Sequence, residues 1–240
     1  MKKVDIVIPA HNEEKIIESS LNNLYSCLKK IKDVDWRVVI GENGSSDNTY
    51  KFAKSLIKKF PKLKVYHINK ASRDLTLKYL WEKSKADVLV YTDADMSTNP
   101  KHIRQMIDYI LEGYDIAVGS RLINGAKVKR PLSRVILSSI YNLILLPFFL
   151  PTGVRDTQNG FKAINQKIAR ELLPKLSEEN ALLDMELMAV AYYKKYKVIE
   201  FPVEWVEADR KSTMNVNKNI LNFLKNIIKT RLRIMRGYYN

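Results

Sequence analysis

The 240-residue chain has one cysteine, Cys27, and so lacks any partner for it. An intramolecular disulfide is excluded, and the composition fits a reducing compartment, with Cys27 expected as core filler in an apolar helical stretch. A bilayer-length apolar segment is missing too. The run Val135 to Leu150 has sixteen residues and is broken by Ser138, Ser139, Asn142 and Pro147, short of the ~20 residues that span a membrane. It is expected to be buried, re-entrant or interfacial. Met1-Lys2-Lys3-Val4-Asp5-Ile6 leads directly into a strand, which leaves no room for a signal peptide and gives the expectation of a cytoplasmic location. Neither Gly-x-Gly-x-x-Gly nor Gly-x-x-x-x-Gly-Lys occurs, so dinucleotide oxidoreductases and P-loop phosphate cradles lose support. The lysines are dispersed, without a helix-turn-helix, RNA-recognition or zinc-finger pattern, and nucleic acid is not an expected partner. No internal repeat, low-complexity tract or linker divides the chain.

What is present is an alternation of short β-branched runs with longer segments of helical spacing. The runs are Val4 to Pro9, Arg37 to Gly41, Lys64 to Ile68, Asp87 to Thr92 and Asp115 to Gly119. They predict an α/β fold of βαβ units around a mainly parallel sheet flanked by helices. Ile16, Ile17, Leu21, Leu24, Leu28 and Ile31 form the sheet-facing stripe of the first helix. A chain of this length buries roughly 70 to 75% of its unfolded surface as one domain. Its composition changes near residue 120, giving a half over 1–120, a second over 121–206 and a basic extension over 207–240. In that extension a helix from Val216 to Arg236 would gather Ile220, Leu224, Ile227, Ile228 and Met235 on one side. Lys218, Lys225, Lys229, Arg233 and Arg236 fall on the other. With a net charge of +15, such a helix suits an anionic membrane surface or packs on its own domain.

Polar groups collect where the predicted strands end. Val88 to Tyr91 runs into Thr92-Asp93-Ala94-Asp95, and two carboxylates beyond a parallel strand can present oxygens to a hard cation that neutralises a diphosphate. The first strand ends in Pro9-Ala10-His11-Asn12-Glu13 and the second in Glu42-Asn43-Gly44, followed by Asp47, at the same sheet edge. There Glu42 and nearby backbone amides could hold a nucleotide, while Asp47 also suits a helix cap. His11, His67 and His102 are scattered singly and read as non-ligands.

The strings PAHNE, ENGSSDNT, DADMSTNP and GSR, in this order and spacing, resemble family 2 inverting glycosyltransferases with the GT-A fold. Arg134 to Ser138, the Val154 to Lys162 string, Asp184 to Met188 and Pro202 to Glu207 are similar to the dolichyl-phosphate sugar synthases. Among these the RDTQNGFK and Pro-Val-x-Trp-x-Glu strings and Thr230 to Arg233 resemble dolichyl-phosphate β-glucosyltransferases most. The resemblance implies transfer of a hexose from a nucleotide diphosphate sugar, UDP-glucose or UDP-N-acetylglucosamine, to dolichyl or polyprenyl phosphate for protein glycosylation. The alternatives are a GDP-mannose-dependent synthase and a transferase with a saccharide acceptor. It further implies Mg²⁺ or Mn²⁺ on Asp93 and Asp95, and a nucleotide-sugar site of Pro9, Ala10, Asn12, Glu13, Glu42, Asn43, Gly44, Asp47, Asp93, Ala94, Asp95 and Gln158. The acceptor phosphate falls to Arg121, Arg134 and Ser138; Asp93, Asp95, Arg121, Arg134 and Asp156 are the implied catalytic set. Asp156 and Gln158 belong to the sugar-side loop, Glu186 supports it from behind, and Arg130, Arg155 and Lys162 are divided between structure and phosphate contact. Peripheral attachment at the cytoplasmic membrane face is the implied setting. Two departures stand out: Asp209 to Thr213 replaces a Gly-Ser-Lys string, and Ser97 stands where mannose synthases can carry a metal-binding Gln.

Overall fold

The computed structural model describes residues 1–131, 135–136, 139–177, 183–207 and 216–239, excluding the side chains of 141, 144, 145 and 216–223. Its first half alternates β1 (Lys2–Ala10), α1 (Ile17–Leu28), β2 (Val34–Asn43), α2 (Thr49–Leu56), β3 (Leu63–Ile68), α3 (Arg73–Lys83) and β4 (Val88–Thr92). Then follow α4 (Ile103–Leu111), β5 (Ile116–Ser120) and β6 (Lys127–Lys129). Beyond a π-helical stretch, Ile140–Leu145, come α5 (Leu146–Phe149), β7 (Phe161–Asn165), α6 (Gln166–Glu171), α7 (Leu183–Tyr193), β8 (Val198–Pro202), β9 (Glu204–Val206) and α8 (Val216–Met235).

Seven strands form one sheet in the order β3-β2-β1-β4-β7-β5-β8, and β6 pairs with β9 in a small parallel ribbon. Helices cover both faces, so β1 is buried continuously from Val4 to Ala10 and reads as a nearly unbroken apolar run. The polar exception is Asp5, 3% exposed, which takes both oxygens of its carboxylate to Arg37 on the paired strand at 2.5 and 2.6 Å. From β1 the chain moves outward through β2 to β3, then crosses back to lay β4 on the other side of β1. The strand order therefore reverses between β1 and β4, the place where open α/β sheets leave a crevice at the carboxyl ends of their strands.

The predicted strands all form, and the expectation of a mainly parallel sheet holds. The alternation did not indicate β7, β8 or the small β6–β9 ribbon; of these β7 runs antiparallel between β4 and β5. It begins with Phe161 and Lys162 at the end of the RDTQNGFK string, whose polar run masks the strand that follows. The α1 stripe faces inward as expected, with Ile17, Leu21, Leu24 and Leu28 fully buried. Cys27 is a correction: it is only half-buried, because the helical period that turns Leu24 and Leu28 to the sheet leaves position 27 at the side.

The run after residue 135 packs on one side only. Leu146 and Leu150 meet Met185, Ala189 and Ile227, while Ile140, Leu143 and Phe148 are 43%, 45% and 76% exposed. Helix α8 divides its apolar residues the same way. Ile227 and Thr230 face the domain, whereas Ile228, Leu232 and Met235 are exposed. Arg233, expected on the basic outer face, instead turns inward to Glu186 at 3.3 Å. No helix among the described residues is long and apolar enough to cross a membrane.

Leu21 lies in the larger core with no exposure. Leu21→Ala should lower stability by about 2–5 kcal/mol through lost transfer energy and a residual cavity. A urea titration should show a lower midpoint with an unchanged slope.

Candidate active site

Asp93 and Asp95 follow β4 directly at the crevice. Residues two apart in a strand share a face, so Tyr91 lies beside Asp93, and its hydroxyl donates to Asp93 Oδ1 at 2.6 Å. The other oxygen, Oδ2, lies against the backbone of Gly160, where an added Cβ would come within 2.0 Å of it. Only glycine permits that approach. Asp95 Oδ1 accepts the Ser97 N–H at 2.9 Å, a turn made possible by Met96, which adopts the left-handed conformation with φ 52°. A non-glycine residue in that region stores about 1–2 kcal/mol of strain, of the kind found at functional sites. The loop is also pinned from outside: Val206 donates to Ser97 O at 2.8 Å and Asn99 to Glu204 O at 2.9 Å.

Behind this pair lies a cluster of charges. Arg73, the first residue of α3, donates from Nε to Asp74 Oδ1 at 2.9 Å and from NH2 to Asp184 Oδ2 at 2.8 Å. Lys162 is fully buried, 2.9 Å from Asp184 Oδ1, and donates to Asn159 O at 2.5 Å. Burial raises the Asp93 carboxyl above its ordinary value; Arg73 and the Tyr91 hydroxyl oppose that shift, and the charges of Asp95 and Asp184 add to it. Such a site gains from a cation. Asp93 Oδ2 and Asp95 Oδ2 accept no hydrogen bond among the described residues, and hard carboxylate oxygens are what Mg²⁺ and Mn²⁺ take. No cluster of three or more His, Cys, Asp or Glu side chains fit to hold a metal occurs among the described residues, so the remaining coordination would come from ligand oxygens and water.

The ends of β1 and β2 are laced together. Asn12, at φ 58°, donates its N–H to Ser45 Oγ and accepts the Ser46 N–H at Oδ1, at 3.0 and 2.8 Å. Glu13 donates to Thr49 Oγ1 at 2.7 Å. Asp47 accepts the Thr49 N–H at 2.9 Å from one residue ahead of Asn48, the α2 cap position, so it serves the first helical N–H without being the cap itself. Pro9 and Ala10 are buried, and Gly44 takes φ 64° close to the backbone of Ala71. Glu42 is 1% exposed, with one oxygen on the Ser45 N–H at 2.5 Å and the other on His67 Nδ1. Burial would raise its pKa, but the bonds from Ser45 and His67 hold it below the usual carboxylate value. Beside it Asn43, 4% exposed, has a buried Oδ1 with no partner among the described residues.

Across the crevice, Asp156 is fully buried and Arg121 nearly so. Arg121 gives Nε and NH2 to the two Asp156 oxygens at 2.7 and 2.8 Å, and its backbone N–H to Oδ2 at 3.0 Å. Burial alone would raise the Asp156 carboxyl, but the Arg121 pairing holds it below the ordinary value. The Arg121 and Arg130 guanidinium carbons lie 5.5 and 5.4 Å from the Trp205 ring centre, and Trp205 bridges to Thr98 in the loop after Asp95. This joins the two sides of the crevice through one indole.

Asp93, Ala94 and Asp95 thus gather with Asn159 and Gly160 at the crevice, and Gln158 lies half-buried in the same loop. Arg134 and Ser138 lie outside the described residues. Glu186 sits elsewhere than expected: fully buried, it accepts the Ser177 N–H at 2.8 Å, Arg233 NH1 and the Tyr239 hydroxyl, so it fastens the C-terminal segment. Lys162 is a buried structural cation, whereas Arg155 is exposed. Each histidine serves a strand end: His11 meets Asn43 O, His67 meets Glu42, and His102 Nε2 accepts the Glu204 N–H. Tyr91, Gly160, Arg73 and Asp184 were not singled out. Strand periodicity alone links Tyr91 to Asp93, but nothing local links Arg73 to Asp184.

The Glycosyl transferase family 2 model matches residues 5–173. Glycosyltransferase AglD of Haloferax volcanii is 29% identical over 231 residues, covering 95% of this chain and 37% of its own length. The chain thus spans little more than a third of that relative. The dolichyl-phosphate beta-glucosyltransferase of Saccharomyces cerevisiae is 27% identical over 258 residues, covering 98% of this chain and 76% of its own length. Glucosyl-3-phosphoglycerate synthase from Mycobacterium tuberculosis, solved with Mn²⁺ and uridine-diphosphate-glucose, superposes with a TM-score of 0.67 at 16% identity, over 94% of this chain and 79% of that one. Its likeness establishes the GT-A fold.

Asp156→Asn should cost about 3–5 kcal/mol at neutral pH by leaving the Arg121 charge buried without its counter-ion. Because the folded pKa is depressed, the pair's stability is complete above the unfolded value of about 3.9 and is lost as pH falls through the lower folded one. Urea midpoints across pH should therefore show the two proteins converging below about pH 4.

Proposed function

Since this chain belongs to glycosyl transferase family 2, we propose that it transfers a hexose from a nucleoside diphosphate sugar, UDP-glucose or UDP-N-acetylglucosamine, to a dolichyl or polyprenyl phosphate. The observation that carries this reading is the pair Asp93 and Asp95 at the point where strand order reverses, each keeping an oxygen open for a cation. A divalent ion held there would supply positive charge to the departing diphosphate.

The protein's own groups do the rest. Backbone at Pro9, Ala10, Asn12 and Gly44 shapes the nucleotide pocket, with the Asn43 side chain buried behind it. Glu42 supports that wall from behind, since both of its oxygens are engaged within the protein. Asp156 orients Arg121: two of the five guanidinium N–H groups are held, and the others remain to receive an acceptor phosphate, with Arg134 and Ser138 as further contacts. Displacement is in line and inverting, and no general base is required, because a phosphate monoester with a second pKa of about 6 is already largely dianionic at neutral pH. Positioning and charge therefore supply the catalysis.

The acceptor's lipid chain calls for attachment to a bilayer. Ile140, Leu143 and Phe148, with Ile228, Leu232 and Met235, form exposed apolar surface on a chain of net charge +15, which suits peripheral binding to an anionic cytoplasmic leaflet.

Incubation with dolichyl phosphate and labelled UDP-glucose, UDP-N-acetylglucosamine or GDP-mannose, with and without EDTA, tests the assignment. One UDP-sugar should be turned over in a chelator-sensitive reaction, and Asp95→Ala should lose at least about a thousandfold in rate with its folding intact. Near-normal turnover in that variant, or transfer to free saccharides alone, would overturn it. Separately, the protein should sediment with vesicles containing phosphatidylserine at low salt and be released at high salt. Phe148→Ser should weaken that sedimentation.

A further inference from the structure

Arg73 is a charged side chain with an unusual setting. Its two anchors, Asp74 and Asp184, have side chains only 7% and 11% exposed, yet 41% of Arg73 itself stays open to solvent. Nε and NH2 are both held, NH2 lying 2.9 Å from Asp74 Oδ1 and 2.8 Å from Asp184 Oδ2; among the described residues no acceptor is found for NH1. A surface arginine normally sacrifices considerable rotamer freedom when it binds a ligand. Here that freedom is already lost, so a ligand would meet a fixed fork of N–H donors.

The place it occupies matters as much as its rigidity. Its guanidinium carbon is 5.8 Å from the centre of the Tyr91 ring, whose hydroxyl holds Asp93, and its charge acts on the Asp93 carboxylate. Arg73 also opens α3, so the unpaired N–H groups of an eleven-residue helix add positive potential at the same end. The cluster contains four carboxylates, Asp74, Asp93, Asp95 and Asp184, against two cations, Arg73 and Lys162. The excess is two negative charges, which one divalent ion balances. With that ion bound, no described residue claims the outward half of the Arg73 fork.

We infer that Arg73 is a donor-binding residue whose outward N–H groups grip the diphosphate of the nucleotide sugar, acting beside the cation and independently of it. The inference rests on the proposed nucleotide-sugar site and adds a protein-borne anion contact to it. A planar fork matches two phosphate oxygens in a way an ammonium cannot.

Isothermal titration of the intact protein with uridine, UDP and UDP-glucose, in Mn²⁺ and in EDTA, tests this with Arg73→Gln and Arg73→Lys. Loss of a charge-assisted hydrogen bond corresponds to about tenfold or more in affinity. Arg73→Gln should lose that factor for UDP and UDP-glucose in both media while binding uridine as the parent does, and Arg73→Lys should recover part of it. Equal loss for uridine would mean that the cleft itself is disturbed, and unchanged UDP affinity in Arg73→Gln would mean that the fork takes no part; either overturns the inference while leaving the transferase reading intact. If the parent protein binds no nucleoside diphosphate at all, the transferase reading fails and this inference with it.

Discussion

Like charges crowded at the end of one strand are the constraint around which this molecule is arranged. Asp93 and Asp95 follow β4 at an interval that forbids wide separation, and Asp184 approaches from α7. Carboxylates gathered in a partly dry place repel one another and resist ionisation. The fold answers with Arg73 from α3, Lys162 from β7 and the Tyr91 hydroxyl from β4 itself. Each answer comes from a different element, so the sheet and its helices must assemble before the acidic pair becomes tolerable. On the proposed reading, the negative charge that the protein does not neutralise would be balanced by a divalent cation.

The opposite wall uses the same chemistry in reverse. There a buried carboxylate, Asp156, exists to aim a guanidinium, and Trp205 stands between Arg121 and Arg130 while its strand braces the loop that follows Asp95. The two sides of the site are thereby joined through one aromatic ring. The in-line transfer proposed above would depend on such a relation, since misplacing the attacking oxygen by an ångström forfeits much of the rate.

Much of this could be read before any coordinates. Parallel strands buried on both faces leave apolar runs that end abruptly in polar residues, so β1, β2 and β4 and the polar groups beyond them were legible, and with them the side of the sheet on which a ligand sits. Family likeness extended the reading to the second half. Strand β7 was not legible, because it is short and begins inside a polar motif. Arg73 and Asp184 were hidden for another reason: they meet across 111 positions of sequence, and no local period records that meeting. Glu186 misled, since a buried acid beside a motif looks like part of a site, whereas its partners are Tyr239 and Arg233. Helix α8, expected either on a membrane surface or packed on its own domain, packs Ile227 on the domain and leaves Ile228, Leu232 and Met235 exposed.

The Glu186 contact orders events in time. Synthesis proceeds from the amino end, and domains begin to organise as they emerge. Strands β1 to β4 can pair while the residues of α7 and α8 are still unmade, so the nucleotide wall can form first. Tyr239, 1% exposed, reaches its acid only when nearly all of the described chain has been produced. Until then the underside of α7, including the start that bears Asp184, lacks its last fastening. That fastening arrives only once residue 239 has been made, long after the strand that precedes the acidic pair.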